Sequence, residues 1–89
     1  MKDLSQLFSE IAALNHKSQR RDDVNKRIIF SKILLAFGET LTKVGRLMHK
    51  SHSTIIYYVE QYDILMEYDE EFKSQFRELM YKVGIAMNE

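Results

Sequence analysis

The sequence predicts an all-α fold, a compact bundle of about five helices that contains a helix-turn-helix. Proline is absent and only three glycines occur among the 89 residues, so few residues would break a helix. Leu, Met, Lys, Glu and Gln are frequent, and all of these residues favour helices. Apolar residues recur at helical spacing in five segments. A chain of this length is expected to form one domain, residues 1–89.

Composition excludes several classes of protein. Cysteine is absent, which removes thiolate metal sites and redox chemistry and agrees with a cytoplasmic location. No stretch reaches the roughly 18 consecutive apolar residues of a membrane-spanning helix, so no membrane partner is expected. A phosphate-binding loop of the form GxxxxGK[ST] is also missing, which argues against ATP hydrolysis.

Neither a catalytic site nor a metal or cofactor site is expected. His49 and His52 are three residues apart, but they flank a predicted turn and have no carboxylate or thiolate at ligand spacing. The acidic residues near position 70 lack the alternating ligands and central glycine of a calcium loop. We therefore expect a binding protein rather than an enzyme.

The N-terminal segment predicts an amphipathic helix followed by a loop. Asp3 and Gln6 have the spacing of a capping box. Residues 15–23 are polar and basic without periodic apolar residues, which predicts an exposed loop, either a solvated linker or an arm that contacts a partner. The apolar stripe of the helix is formed by Leu4, Leu7, Phe8, Ile11 and Leu14.

The next segment, residues 24–37, is apolar on nearly every face, which predicts a helix at the centre of the bundle. Gly38 follows it directly. Glycine readily adopts the left-handed conformation that commonly follows a helix, so Gly38 is expected to end this one.

Residues 41–66 predict the helix-turn-helix itself. Leu41, Val44, Leu47 and Met48 share one face of a short helix, with Thr40 as its N-cap. Residues 49–51 interrupt this pattern for one tight turn, a length that helix-turn-helix motifs use. The stripe of the second helix is formed by Ile55, Val59, Tyr62 and Met66.

A last helix is predicted after Asp69, a suitable N-cap, and Gly84 is a candidate for its C-terminal end. Glu70 and Glu71 suit the positive end of its dipole. Its apolar stripe either closes the core or, beyond Leu79, contacts a protein partner or a second protomer. The stripe comprises Phe72, Phe76, Leu79, Met80, Val83 and Met87.

Charge is distributed unevenly along the chain, although the net charge is zero. Nine basic and three acidic residues lie in residues 16–52, whereas eight acidic and three basic residues lie in residues 60–89. The basic part contains the predicted helix-turn-helix, which favours an anionic partner such as DNA there. The alternative is that both charged regions are merely solvated.

The first turn of the second motif helix, Ser51, His52, Ser53 and Thr54, has the chemistry to read bases. Its side chains are short and supply hydroxyls, an imidazole and one methyl group for contacts in the major groove. Two of these residues also have ordinary structural interpretations, Ser51 as an N-cap and Thr54 as a plain helical residue.

The run VGRLMHKSHSTII, with RIIFSKILLAF before it and YDEEFKSQFREL after it, resembles the DNA-binding domain of the bacterial replication initiator DnaA. The resemblance covers about residues 20–79 and implies that His52, Ser53 and Thr54 read bases. It also implies that a minor-groove arginine maps onto Arg20 or Arg21. The expected contacts to the DNA backbone or minor groove are Arg20, Arg21, Arg27, Lys43, Arg46 and Lys50.

Three departures from the DnaA pattern imply a diverged relative, for example from a phage or mobile element. Ser51 stands where the family usually has Asp, the turn is shorter than the common Gly-Gly-Arg-Asp form, and Glu60-Gln61 replace residues that are frequently basic. The resemblance implies a stand-alone protein that binds double-stranded DNA in replication initiation or its regulation, without ATPase activity. The alternatives are a small dimeric helix-turn-helix repressor and a protein-interaction module without DNA affinity.

Overall fold

The computed structural model describes residues 5–84, which form five helices and no strand, as the sequence predicts. Asp3, Leu4 and Met87, assigned above to the first and last helices, lie outside the described residues. The helices are α1 Ser5–Ala12, α2 Arg21–Ala36, α3 Leu41–Met48, α4 His52–Tyr68 and α5 Glu70–Val83.

Helix α2 is the centre of the bundle, which confirms the prediction from its apolar sequence. It packs against α3, α4 and α5, while α1 closes against α5. Ile29, Phe30, Ile33 and Leu34 are almost completely buried along α2. Burial of such side chains is the main favourable term in folding, at about 25 cal/mol for each Å² of apolar surface.

The start of α2 differs from the prediction, because the helix begins at Arg21 and not at residue 24. Its first turn is polar and is stabilised by α5: the Gln75 amide donates to the Asp22 carbonyl (2.9 Å), and the Asn25 amide donates to the Gln75 side chain (3.1 Å). The spacing of apolar residues cannot predict such hydrogen bonds between polar side chains of different helices. The loop before α2 is therefore shorter at its C-terminal end than expected.

The ends of α2 and α3 are shaped by local signals. Gly38 adopts a left-handed φ of 93°, and the Glu39 amide donates to the Leu34 carbonyl, so the helix ends in a Schellman motif. The Thr40 hydroxyl accepts from the Lys43 amide at 3.1 Å. Both features confirm the predicted helix boundaries.

Three residues, 49–51, connect α3 to α4. His49 takes a left-handed φ of 59°, uncommon for any residue but glycine, and the Lys50 amide donates to the Gly45 carbonyl (2.8 Å). Ser51 then caps α4 by accepting from the Thr54 amide at 3.3 Å. The two helices thus follow one another through a tight, hydrogen-bonded turn.

The buried face of α4 is rotated from the predicted one. Ile55 and Tyr62 are buried as expected, but Tyr58 completes the buried set, whereas Val59 and Met66 are only partly buried. Tyr58 turns inward because its hydroxyl accepts a hydrogen bond from buried Arg27. Periodicity alone does not distinguish a tyrosine that is buried for this reason from an exposed one.

Helix α5 begins and ends where the sequence predicts. The Asp69 carboxylate accepts from the Phe72 amide and pairs with Arg21, and these contacts lower the pKa of Asp69. Gly84 ends the helix with a φ of 68°. Beyond Leu79, where the sequence allows a partner contact, Met80 and Val83 are buried in the core.

Aromatic contacts join α5 to α4. The Tyr62 ring meets the rings of Phe72 and Phe76 edge to face, with centroids 6.0 and 5.8 Å apart, a geometry that aromatic pairs favour. Across residues 5–84, none of the helices combines the length and apolar character needed to cross a bilayer.

Gly45 lies where α3 passes closest to the turn. A Cβ atom placed there would lie 2.7 Å from the Lys50 carbonyl oxygen, which is a backbone atom that cannot easily move. We expect Gly45→Ala to lower the free energy of unfolding by about 1–2 kcal/mol, because the clash outweighs the better helix propensity of alanine. Urea denaturation measures this change.

Lys43→Ala on the exposed face of the same helix is the matched control and should alter stability by less than about 0.5 kcal/mol. A Gly45→Ala protein as stable as the unmodified protein would contradict the close approach.

Candidate nucleic-acid interface

The first turn of α4 is exposed, but its four predicted base-reading residues are not equally available. Ser51, His52 and Ser53 are exposed, and Thr54 is partly buried. The Ser51 hydroxyl caps the helix and lies 3.2 Å from the Thr54 hydroxyl. The N-cap interpretation of Ser51 is therefore correct for the protein without a ligand.

His52 and Ser53 differ in their partners. The His52 Nε2 atom lies 3.1 Å from the Thr42 hydroxyl of α3, so one ring nitrogen is occupied by a contact within the protein. Ser53 has no side-chain partner within residues 5–84. Among the four residues, Ser53 therefore has the hydroxyl group that is most available to bind a ligand.

The cations of α3 and of the turn before α4 differ in whether they are already paired. Arg46 is exposed and has no side-chain partner among the described residues, whereas Lys43 is 3.1 Å from the Glu39 carboxylate. Lys50 is partly buried and donates to the His16 carbonyl (3.2 Å). Of these three cations, Arg46 is thus the one that needs no rearrangement to contact a phosphate.

The loop before α2 is attached to the α3–α4 turn. The His16 ring stacks on the His49 ring, with centroids 4.3 Å apart and planes within 3°. The Lys50 ammonium group bonds to the same loop through the His16 carbonyl. The loop is therefore one continuous surface with the turn, and Lys17, exposed directly after His16, adds a cation to it.

The environment of His16 disfavours its charged form. Burial lowers its pKa most, the neighbouring His49 ring lowers it further, and the cations Arg27 and Lys50 act in the same direction. The Met48 carbonyl opposes these effects. The Nδ1 atom is buried and has no hydrogen-bond partner within the described part of the chain. Protonation would thus bring a third cation beside Arg27 and Lys50.

Arg27, which is expected above to contact DNA, is buried within the protein in this structure. Its side chain is 1% exposed, and its Nε atom donates to the Tyr58 hydroxyl at 3.2 Å. The two terminal nitrogens donate to the Asn15 carbonyl (3.0 Å) and the Ser18 carbonyl (2.7 Å). Arginine can satisfy three acceptors at once, so the residue joins α2 to α4 and to the loop instead of facing solvent.

The structure separates the two candidates for a minor-groove contact. Arg21 pairs with Asp69, which follows the last turn of α4, and that residue lies about 25 Å along the helix axis from His52. Arg20 is exposed and its guanidinium has no partner in residues 5–84. Arg20 is therefore the candidate that is free to contact a phosphate or a groove.

Beyond its first turn, α4 is unsuited to DNA. The helix contains no lysine or arginine, and Glu60, Asp63 and Glu67 are exposed along it. These carboxylates would repel phosphates. Any contact with nucleic acid through α4 is thus limited to its N-terminal end.

Two features of this surface cannot be predicted from the spacing of residues in the sequence. The sequence shows His16 and Lys17 only as part of a basic loop, because no spacing rule connects His16 to His49, 33 positions later. Tyr58 was not recognised as a partner of Arg27 for the same reason. The described residues contain no group of three or more His, Asp or Glu side chains arranged to hold a metal ion.

Comparisons of the chain with known protein families, with curated proteins and with solved structures found no match.

Substitutions of Arg27 and Arg20 are predicted to have different effects on the free energy of unfolding. Arg27→Met should lower the free energy of unfolding by about 2–3 kcal/mol, because three hydrogen bonds to a charged group are lost and two loop carbonyls are left unpaired. Chemical denaturation measures the loss. Tyr58→Phe should cost about 1 kcal/mol, since it removes one of these bonds.

Arg20→Ala is the control, and its effect on stability should be below about 0.5 kcal/mol because the side chain is exposed. Unchanged stability in Arg27→Met would restore Arg27 as a surface contact.

The lowered pKa of His16 predicts a pH dependence of stability. The folded state binds this proton less readily than the unfolded chain, so the contribution of neutral His16 is complete above the ordinary pKa of 6.5. It is lost as pH falls through the lower pKa of the folded protein. Denaturation between about pH 7 and pH 5 should therefore show decreasing stability.

His16→Phe keeps an aromatic ring for stacking on His49 but cannot be protonated. This variant should show a weaker pH dependence than the unmodified protein over the same range. Equal slopes for the two proteins would mean that another group is responsible.

Proposed function

We propose that this protein binds double-stranded DNA sequence-specifically, with the first turn of α4 entering the major groove. The proposal is carried by one observation: this turn is exposed, its Ser53 side chain has no partner within residues 5–84, and it directly follows a turn that contains Lys50 and a helix that contains exposed Arg46. A helix N-terminus has free backbone N–H groups and a partial positive charge, both of which favour phosphates nearby.

The distribution of charge along α4 favours a complex in which the N-terminal end of the helix enters the major groove. It disfavours one in which the whole helix lies along the groove. Glu60 follows His52 by eight residues, which is about 12 Å along the axis. The major groove is about 8.5 Å deep, so the first two turns can approach the bases while Glu60 stays outside. A helix lying along the groove would bring its carboxylates close to phosphates.

The contacts fall into two groups under this proposal. Ser53 reads a base edge directly, while His52 and Thr54 join it by exchanging their present partners, Thr42 and Ser51, for bases. Arg46 contacts phosphates, and Lys43 does so after leaving Glu39. Arg20 supplies a separate contact from the loop.

The resemblance of the Val44–Ile56 segment to DnaA supports a role in replication initiation or its regulation, in the cytoplasm, where bacterial DNA lies. The protein would recognise a site related to a DnaA box without hydrolysing ATP. Ser51, which replaces the usual aspartate, accepts the Thr54 amide as a cap and cannot supply a carboxylate to a cytosine amino group. We therefore expect a base preference that differs from that of DnaA.

Fluorescence anisotropy on a duplex with a DnaA box, beside a scrambled duplex at two salt concentrations, tests the proposal. Ser53→Ala should reduce the preference for one duplex by about 1 kcal/mol, or about fivefold, because a base contact is lost. Arg46→Ala should weaken both duplexes by similar factors and reduce the salt dependence by about one ion.

Arg77→Ala is the matched control, since Arg77 is an exposed arginine on α5. It should leave both affinities unchanged. Absence of binding at low salt would refute the proposal. Equal effects of Ser53→Ala and Arg46→Ala on the two duplexes would refute the division into base and phosphate contacts.

A further inference from the structure

Helix α4 contains four of the six large apolar side chains that are exposed within residues 5–84. Ile56 is 46% exposed, Tyr57 53%, Ile64 49% and Tyr68 76%, and none of them belongs to the buried core. Large apolar side chains grouped on one exposed face commonly mark a place where a protein binds another molecule. The first turn, proposed above to enter DNA, lies at one end of this face.

The face has two sides with different chemistry. At about 100° per residue, Tyr57, Ile64 and Tyr68 fall within about 40° of one another on one side. The acidic side chains of Glu60, Asp63 and Glu67 lie together on the adjoining side, all exposed. An apolar strip therefore runs beside an acidic strip for about three turns.

The acidic strip is largely unneutralised. Glu60 and Glu67 have no ion-pair or hydrogen-bond partner within residues 5–84, and α4 contains no basic residue. Asp63 lies 3.8 Å from Lys32 of α2, at the limit of an ion pair. The strip thus has negative charge available for a cationic ligand beside the apolar surface.

We propose that this face of α4 binds a basic amphipathic segment of a partner protein. Apolar side chains of that segment would cover Tyr57, Ile64 and Tyr68, while its lysines or arginines would pair with Glu60 and Glu67. An amphipathic helix presents both kinds of side chain at matching spacing and is a common ligand for such a face. Burial of the apolar strip supplies affinity, and the charges supply orientation and selectivity.

Charge also argues against two other occupants. Nucleic acid would be repelled by three exposed carboxylates. In a two-fold dimer formed by antiparallel packing of two α4 helices, the acidic strip of one copy would approach that of the other, which is unfavourable. A basic partner removes the repulsion and fits both strips at once.

Ile64, Glu67 and Tyr68 of the partner surface lie beyond the two turns of α4 that are proposed to approach the bases. Ile64 follows His52 by twelve residues, which places it about 18 Å farther along the axis. One molecule can therefore hold DNA at the start of α4 and a protein segment along the rest of it. Loss of one activity does not require loss of the other, so the two proposals can fail independently.

Two labelled synthetic peptides of 15 residues test the inference: an amphipathic peptide of leucine and lysine, and its counterpart with glutamate in place of lysine. The basic peptide should bind and the acidic one should not, as measured by anisotropy. In ¹H–¹⁵N spectra, the shifts caused by the basic peptide should map to residues 56–68. Equal binding of the two peptides, or shifts located elsewhere, would overturn the proposal.

Substitutions in α4 test whether the apolar strip and the acidic strip each contribute to peptide binding. Ile64→Ala should weaken the basic peptide about tenfold at every salt concentration. Glu60→Gln combined with Glu67→Gln should weaken it about tenfold at low salt and flatten the salt dependence. Controls on α5, Tyr81→Ala, where Tyr81 is 91% exposed, and Glu78→Gln, should leave the affinity unchanged. Equal loss in the controls would overturn the proposal.

Three further measurements separate this inference from its competitors. Thermal unfolding should give the same midpoint for all variants, since every altered side chain is exposed. Sedimentation should show a monomer, and a dimer abolished by Ile64→Ala would overturn the proposal in favour of a second copy. Duplex binding should be unchanged in Ile64→Ala. Peptide binding without any DNA affinity would refute the proposed function and leave this inference standing.

Discussion

The buried guanidinium of Arg27 is the interaction on which the arrangement of the proposed interface depends. It is located on the central helix and donates to Tyr58 of α4 and to two carbonyls of the loop before α2. A charged group buried in this way is stable only while its acceptors stay in place, since an unpaired buried charge is very costly. One side chain thereby fixes the position of the loop relative to α4.

The loop before α2 and the α3–α4 turn are also held together by direct contacts. His16 stacks on His49, a residue held in a left-handed conformation, and Lys50 bonds to the His16 carbonyl. Cations of the loop, the turn and α3 consequently belong to a single surface. The same contacts use up part of the positive charge, because Arg27, Lys50 and Arg21 are engaged within the protein. Arg46, Lys17 and Arg20 remain for an anionic ligand.

Helix α4 joins surfaces of opposite character in one element. Its N-terminal end is polar and lies beside cations, whereas its remaining outward face combines exposed apolar and acidic side chains. The net charge of zero is therefore the sum of two oppositely charged surfaces. The separation of charge along one helix favours an anionic ligand at the start and a cationic one along the rest.

Local signals in the sequence determined the five helices and most of their ends. Gly38, Thr40, Ser51, Asp69 and Gly84 occupy the ends that were predicted for them, because a cap needs only residues within about five positions along the chain. The start of α2 at Arg21, the inward turn of Tyr58 and the burial of Arg27 were decided by the tertiary structure. They depend on partners such as Asp69 and Gln75, which lie on other helices and which no periodicity connects to them. The sequence by itself thus determined which residues are helical and where charge accumulates, and only packing decided which basic side chains are free to bind.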